Sequence, residues 1–283
     1  MQVIKNLIKK ALHIHPTSGL TPLPDLDYLG SPFFGYYVPR GVINENSTCY
    51  CVGAGQDISF DTELVRNYNC SVVILDPAPE GIEHYNLMKD ALNRDETFTT
   101  PAERSKYTYR INKSHLPKLS FIQKGVWNEN TTIRLYSPGK DTYISHSAIL
   151  FKDTGIYIEA PVDRISNIMK SQGHKTIDLL KLEIEGAEYK VIESIAEDKP
   201  DIKMITVEFD EVHHCKGFGY LYRIRNASQL LINNGYKLVH STDFFKRLFV
   251  RNDVYQMLLD RQGEFAGHPL ADTGQDEEAV PAI

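Results

Sequence analysis

Short, mostly apolar runs recur from Cys49 onward, separated by stretches in which apolar positions return every three or four residues. The runs near 49–53, 71–76, 120–125, 178–184, 203–209, 236–241 and 247–252 predict strands, because a continuous apolar block suits a strand covered on both faces. The intervening spacing predicts helices near 58–68, 80–92, 163–172, 187–196 and 226–234. Strand and helix in alternation imply βαβ units, a mostly parallel sheet and an α/β fold of the Rossmann-like class. Only "STDFFK" separates the last two strands, so they pair as an antiparallel hairpin and end the sheet differently from a dehydrogenase.

Outside this rhythm lie four segments. Residues 2–14 place Ile4, Leu7, Ile8, Ala11 and Leu12 on one helical face, with Lys5, Lys9 and Lys10 opposite. Such a helix packs on its own domain or on a second copy, or rests on an anionic membrane surface as a peripheral contact. A Pro- and Gly-rich lead-in follows, aromatic at Phe33, Phe34, Tyr36 and Tyr37, whose rings suit core packing or stacking on a sugar. Residues 93–119 are polar and read as either a lid or a solvated insertion, and the stretch after Gly263 has too few apolar residues to pack. The expected organisation is a lead-in over 1–48, a catalytic domain over 49–255 and a disordered tail over 256–283.

The 283 residues are 42% hydrophobic, enough for a full core, and no run reaches the roughly 18 apolar residues a membrane span needs. Four cysteines, Cys49, Cys51, Cys70 and Cys215, show neither zinc spacing nor disulfide density, which points to a soluble protein of the reducing cytosol. A net charge of −6 and the lack of a basic stripe argue against a nucleic-acid partner.

Gly53-Ala54-Gly55 joins the first strand of the rhythm to a helix, where backbone can approach a ligand and unpaired amides collect. About twenty residues later the second strand ends in Asp76-Pro77, at the separation where nucleotide folds place a carboxylate on ribose hydroxyls. Asp76 can alternatively cap the helix that follows Pro79. Asp57 stands where a dinucleotide fingerprint has its third glycine; it opposes a pyrophosphate and suits a cationic amino group or sulfonium.

In "DLLKLEIEGAE", Lys181, Glu183 and Glu185 alternate with Leu182 and Ile184, so three charges share one strand face in a segment fit for burial. Glu188 falls in the first turn of the next helix, where its charge is favoured. "MITVEFDEVHH" repeats the pattern with Glu208 and Asp210 on one face and His213 and His214 beyond them. A histidine beside carboxylates is a natural base for a hydroxyl at neutral pH. Ser145, His146 and Ser147, on a hairpin outside the core, either decorate the surface or line an acceptor pocket.

"VGAGQDISFD", "VVILDP" and above all "IDLLKLEIEGAEYKVI" resemble the FkbM-type S-adenosylmethionine-dependent methyltransferases, over roughly Cys49 to Asn252. The resemblance implies a class I methyltransferase fold, a mostly parallel seven-stranded sheet with an antiparallel last strand, and methylation of a sugar or glycan hydroxyl. It places Gly53, Ala54 and Gly55 along the methionine part of the cofactor, Asp76 and Pro77 at its ribose, and Gly125, Val126 and Trp127 near its adenine. Cys51 stands where many methyltransferases carry an acid, which leaves Asp57 to meet the cofactor's amino group; Glu183 stands where the family commonly shows Asp. Glu183, Glu185 and His213 are the expected catalytic group, with a divalent metal on Glu183, Glu185 and Asp210 as the alternative to base catalysis. A nicotinamide-dependent oxidoreductase and a non-catalytic methyltransferase-like module are the rival readings.

Overall fold

The structure, a computed structural model, describes residues 18–101, 106–137, 146–148, 155–209, 219–242 and 246–266. The segment 2–14 and the stretch beyond Ala266 lie outside the described residues.

Strand β1 (Leu26–Leu29) and strand β2 (Tyr36–Pro39) form an antiparallel hairpin in what the sequence presented as an irregular lead-in. The chain then enters the main sheet at β3 (Thr48–Val52), passes through helix α1 (Ser59–Tyr68) to β4 (Ser71–Leu75), and through α2 (Pro79–Asn93) to β5 (Leu119–Ile122). A side sheet follows from β6 (Gly125–Val126), β7 (Thr131–Tyr136) and β8 (Tyr157–Asp163), ordered β6-β8-β7. Helix α3 (Ile165–Ser171), β9 (Thr176–Leu182), α4 (Glu188–Asp198), β10 (Asp201–Glu208), α5 (Gly219–Asn233), β11 (Tyr236–Thr242), β12 (Lys246–Arg251) and α6 (Asn252–Ala266) complete the fold.

The main sheet has the order β11-β12-β10-β9-β3-β4-β5, parallel except for β12, which is antiparallel to both its neighbours. Alternate residues feed two cores, as the period of two requires. Cys49, Cys51, Ile74 and Leu179 face α1, whereas Tyr50, Val52, Leu75 and Leu180 face the layer of Ile165, Val191, Ile192 and Leu231. Tyr36 and Val38 of the hairpin join the first core, with the Tyr36 ring 5.1 Å from that of Phe60. The lead-in is therefore a packed part of the domain.

Three boundaries differ from expectation. The strand predicted to reach 125 stops at Ile122, and Gly125-Val126 pair with β8 instead. Helix α6 continues to Ala266, past the expected domain end at 255, because Val254 and Leu258 pack on the first core. The described part of 93–119 packs as structure rather than solvated loop: Tyr109 and Ile111 are buried, and Asn112 caps a 3-10 turn leading into β5. Among the described residues no helix is long and apolar enough to cross a membrane.

Candidate active site

The carboxyl ends of β3, β4, β9 and β10 converge on one edge, where this architecture places ligands. The two glycines of the turn after β3 do different jobs. Gly53 has φ +90°, and a Cβ there would meet the Glu183 carbonyl oxygen at 1.8 Å, so this glycine is demanded by the neighbouring chain. Gly55 has φ +48° and nothing within 4 Å of a would-be Cβ, so it borders open space. Ala54, between them, is buried.

Asp76 lies directly beneath this turn. Its Oδ2 accepts from the Ala54 and Gly55 amides at 2.8 and 3.0 Å, and its Oδ1 accepts from Ala78 N at 2.8 Å. A carboxylate oxygen offers about two acceptor positions, so Oδ2 is filled and Oδ1 retains room for one more donor. Asp76 thus clamps the glycine turn and holds the Ala78 amide at the entry to α2, and of the two hydrogen bonds expected from a cis-diol it has room for one. Gly81 makes space for it, since a Cβ there would fall 2.6 Å from Asp76 Oδ2. Pro77 sits against Gly125, whose hypothetical Cβ would lie 3.4 Å from the proline ring, and Val126 and Trp127 continue along β8 through Trp127 N bonding to Asp163 O at 2.8 Å. Gly53, Ala54, Gly55, Asp76, Pro77, Gly125, Val126 and Trp127 therefore border one edge.

Asp57 is placed otherwise. Its Oδ1 accepts from Ser59 N at 2.8 Å and its Oδ2 from Ser31 Oγ at 2.9 Å, which holds the first residue of α1 and ties down the lead-in. That engagement of both oxygens accounts for the acid at a glycine position and weighs against its expected duty toward an amino group. The adjoining Ile58 amide donates to Tyr109 Oη at 2.8 Å, so the polar insert supports the back of the turn and does not act as a lid in its described part.

Next to the turn runs a chain of alternating charge. Lys181, 1% exposed, donates to the Gly53 carbonyl at 2.9 Å and lies 3.0 Å from Glu183 Oε2 and 3.9 Å from Asp61 Oδ2. Burial works against the ammonium, but Glu183 and Asp61 more than offset it and hold Lys181 charged. Burial likewise raises the Asp61 carboxyl, with Lys181 opposing. Tyr36 Oη stands 2.8 Å from Glu183 Oε2 and 3.1 Å from Glu208 Oε2, and Lys246 Nζ lies 3.2 Å from Glu208 Oε2 and 4.3 Å from the Tyr36 ring centroid. Two ammonium groups already occupy Glu183 and Glu208, the arrangement least suited to a divalent cation; Asp210, the third ligand of the metal alternative, lies outside the described residues.

Glu185 departs from the shared strand face. β9 ends at Leu182, and Glu185 (φ +51°) and Gly186 (φ +99°) form a left-handed turn that swings the side chain off the alternation. Glu188 holds that turn: its carboxyl accepts from Ile184 N at 3.0 Å and Gly186 N at 3.0 Å, and burial pushes its pKa up to about 8 against those donors. Ser147 is buried rather than decorative, with Oγ donating to Glu185 O at 2.5 Å, while His146 lies 3.5 Å from Glu80 at the start of α2. The hairpin of the side sheet thus reaches back to the edge. Ser145, His213 and His214 lie outside the described residues.

Sequence reasoning did not select Asp61 or Lys246 for the site, raised Tyr36 only as a ring for core packing or sugar stacking and not for its hydroxyl, and saw Glu208 only as a face-sharing charge. The single lysine in "FFKRLFV" was the available signal for Lys246; Tyr36 gave none beyond its alternation with Val38.

The strand order, the lone antiparallel strand and the glycine turn with its acidic neighbour define a class I methyltransferase. The chain matches the methyltransferase FkbM domain over residues 44–238 and belongs to that family of S-adenosylmethionine-dependent methyltransferases. Among solved structures, the Methanococcus jannaschii fibrillarin pre-rRNA processing protein is similar at 12% identity over 74% of this chain and 68% of that one, with a TM-score of 0.38, too distant to carry an argument. No curated protein shows a significant match.

Proposed function

We propose that this methyltransferase transfers a methyl group from S-adenosylmethionine to a hydroxyl of a sugar or glycan, in the cytosol. When bound, S-adenosylmethionine supplies a methyl group made electrophilic by its cationic sulfur. The residues present fit it: Gly55 borders open space, Asp76 Oδ1 keeps one acceptor position for a ribose hydroxyl, and Pro77 with Gly125, Val126 and Trp127 offers an apolar border for a base. The observation that carries the reading is adjacency, because the Glu183 backbone packs on Gly53 while its carboxylate joins Tyr36 and Glu208. A hydroxyl acceptor held there is both close to the turn and facing groups able to align it and receive a proton.

A sugar suits the surroundings. Carboxylates accept from its hydroxyls, and the exposed Phe33 and Phe34 rings lie on the 31–35 loop whose Phe33 and Gly35 carbonyls accept from Lys246 at 2.8 and 3.2 Å. Glu185 and His213 remain proposed contributors, Glu185 because it sits on the turn that follows Glu183. The test is incubation with methyl-labelled S-adenosylmethionine and a panel of methyl glycosides and oligosaccharides, with the methylated position located by mass spectrometry. Label on a sugar hydroxyl is the expected result; label on a carboxylate or amine acceptor instead would overturn the acceptor class.

A further inference from the structure

We propose that Glu183 and Glu208, bridged by the Tyr36 phenol, act as one proton-accepting unit that takes the proton of the acceptor hydroxyl. This rests on the methyltransferase reading above and adds to it Tyr36 and Glu208. Tyr36 carries a single O–H, yet its oxygen lies within hydrogen-bonding distance of two carboxylates, 2.8 and 3.1 Å away. It can donate fully to only one of them; the second contact becomes a hydrogen bond when the other carboxyl is protonated and donates to the phenol oxygen. The charges agree. Among the described residues three carboxylates, Asp61, Glu183 and Glu208, face two ammonium groups, Lys181 and Lys246, so one added proton balances this array.

Among the described residues, the groups facing the pair are Tyr28 and Tyr36 from the hairpin, Lys181 from β9, Asp61 from α1 and Lys246 from β12. Burial, then the charge of Glu183, lifts Glu208 to about 7 against the pull of Lys246 and Tyr36. Burial also acts to raise Glu183, but Lys181, Lys246 and Tyr36 reverse it and hold it below its ordinary range. The extra proton therefore resides on Glu208. The site is reachable, since the Glu183 and Glu208 side chains are 19% and 13% exposed. As the bond from acceptor oxygen to methyl carbon forms, the methyl–sulfur bond breaks with its electron pair left on sulfur, and the hydroxyl proton passes to the ionised pair.

The experiment follows the carboxyls directly. In full-length protein labelled with ¹³C at the glutamate side-chain carboxyl, one resonance should titrate near pH 7. It should vanish in Glu208→Gln, move in Tyr36→Phe, and persist in Glu188→Gln, which identifies the separate Glu188 signal. On any methyl glycoside that accepts label, the rate should rise tenfold per pH unit up to about pH 7, and Glu208→Gln should lose about 10²- to 10⁴-fold in rate with unchanged affinity for S-adenosylhomocysteine. A resonance titrating near pH 7 that survives Glu208→Gln, or that is unmoved in Tyr36→Phe, overturns the pair; the phenylalanine variant decides alone if the glutamine variant does not fold. Binding of S-adenosylhomocysteine by calorimetry separates the levels: binding without the titration leaves the methyltransferase reading standing and removes the pair, whereas the titration without binding removes the reading beneath it.

Discussion

Replacing Lys181 with Met takes the ammonium out of the charge array and leaves a side chain of similar length. The ammonium is 1% exposed, 3.0 Å from Glu183, 3.9 Å from the buried Asp61 and 2.9 Å from the Gly53 carbonyl, so its loss leaves Asp61 without its cation and takes one partner from Glu183 and from the carbonyl. Breaking a buried pair by removing one partner costs about 3–5 kcal/mol. The lost charge-assisted bond to Gly53 overlaps with that figure rather than adding to it. Set against a total stability of about 5–15 kcal/mol, the variant should fold with its melting temperature lowered by roughly 6–20 °C, at about 2–4 °C per kcal/mol for a domain this size. The sign with pH is fixed. Burial already raises the Asp61 carboxyl against the pull of Lys181 and raises it further without that ammonium; a carboxyl so raised contributes stability that is lost as pH rises, so the deficit is larger at pH 8 than at pH 5. Urea unfolding followed by circular dichroism at both pH values measures it. Adding Asp61→Asn should recover part of the loss by removing one stranded charge. A Lys181→Met variant within about 1 kcal/mol of wild type at pH 8, well below the range for a broken buried pair, would refute the account of the array.

Asp76→Ala removes the acceptor of three backbone amides as well as the proposed ribose contact; affinity for S-adenosylhomocysteine should fall by about 1.5–3 kcal/mol, the scale of hydrogen bonds to a charged group, and calorimetry beside a melting curve reads both effects. Glu188, raised to about 8 from an ordinary 4.5, is bound more tightly by its proton in the folded state, so its contribution is complete below pH 4.5 and is lost as pH rises to about 8. Glu188→Gln should flatten that part of the stability profile in denaturant titrations, and an unchanged slope would contradict it. Glu185→Gln keeps the shape of the turn and removes one charge; if Glu185 serves the acceptor, turnover on a methyl glycoside that accepts label falls by about 10²-fold or more while S-adenosylhomocysteine binding holds.

What could be read along the chain was whatever one local segment decides alone. The strands β3, β4, β9 and β10 carry mostly apolar runs because both faces of the sheet are covered, and those runs have no competing helical pattern. The glycine turn and Asp76 were legible because a fixed spacing joins them. Elements set by packing at a distance were not. The hairpin of β1 and β2 hides behind prolines and glycines and is held by contacts to Phe60 and Lys246, which lie far along the chain. Glu185 broke the alternation because a left-handed turn, stabilised by Glu188 from the following helix, intervened. Tyr36 and Glu208 meet only across 172 residues of sequence, and no local spacing marks such a pair. Cys51 reads more simply in three dimensions: it is buried beside Asp61, a carboxylate supplied from α1 within reach of the same Lys181.

The most direct test of the central claim is titration calorimetry of the full chain with S-adenosylhomocysteine and, separately, with NAD. Saturable one-to-one binding of S-adenosylhomocysteine, weakened at least tenfold by Asp76→Ala, with no heat from NAD, is the predicted result. Binding of NAD with none of S-adenosylhomocysteine would contradict it.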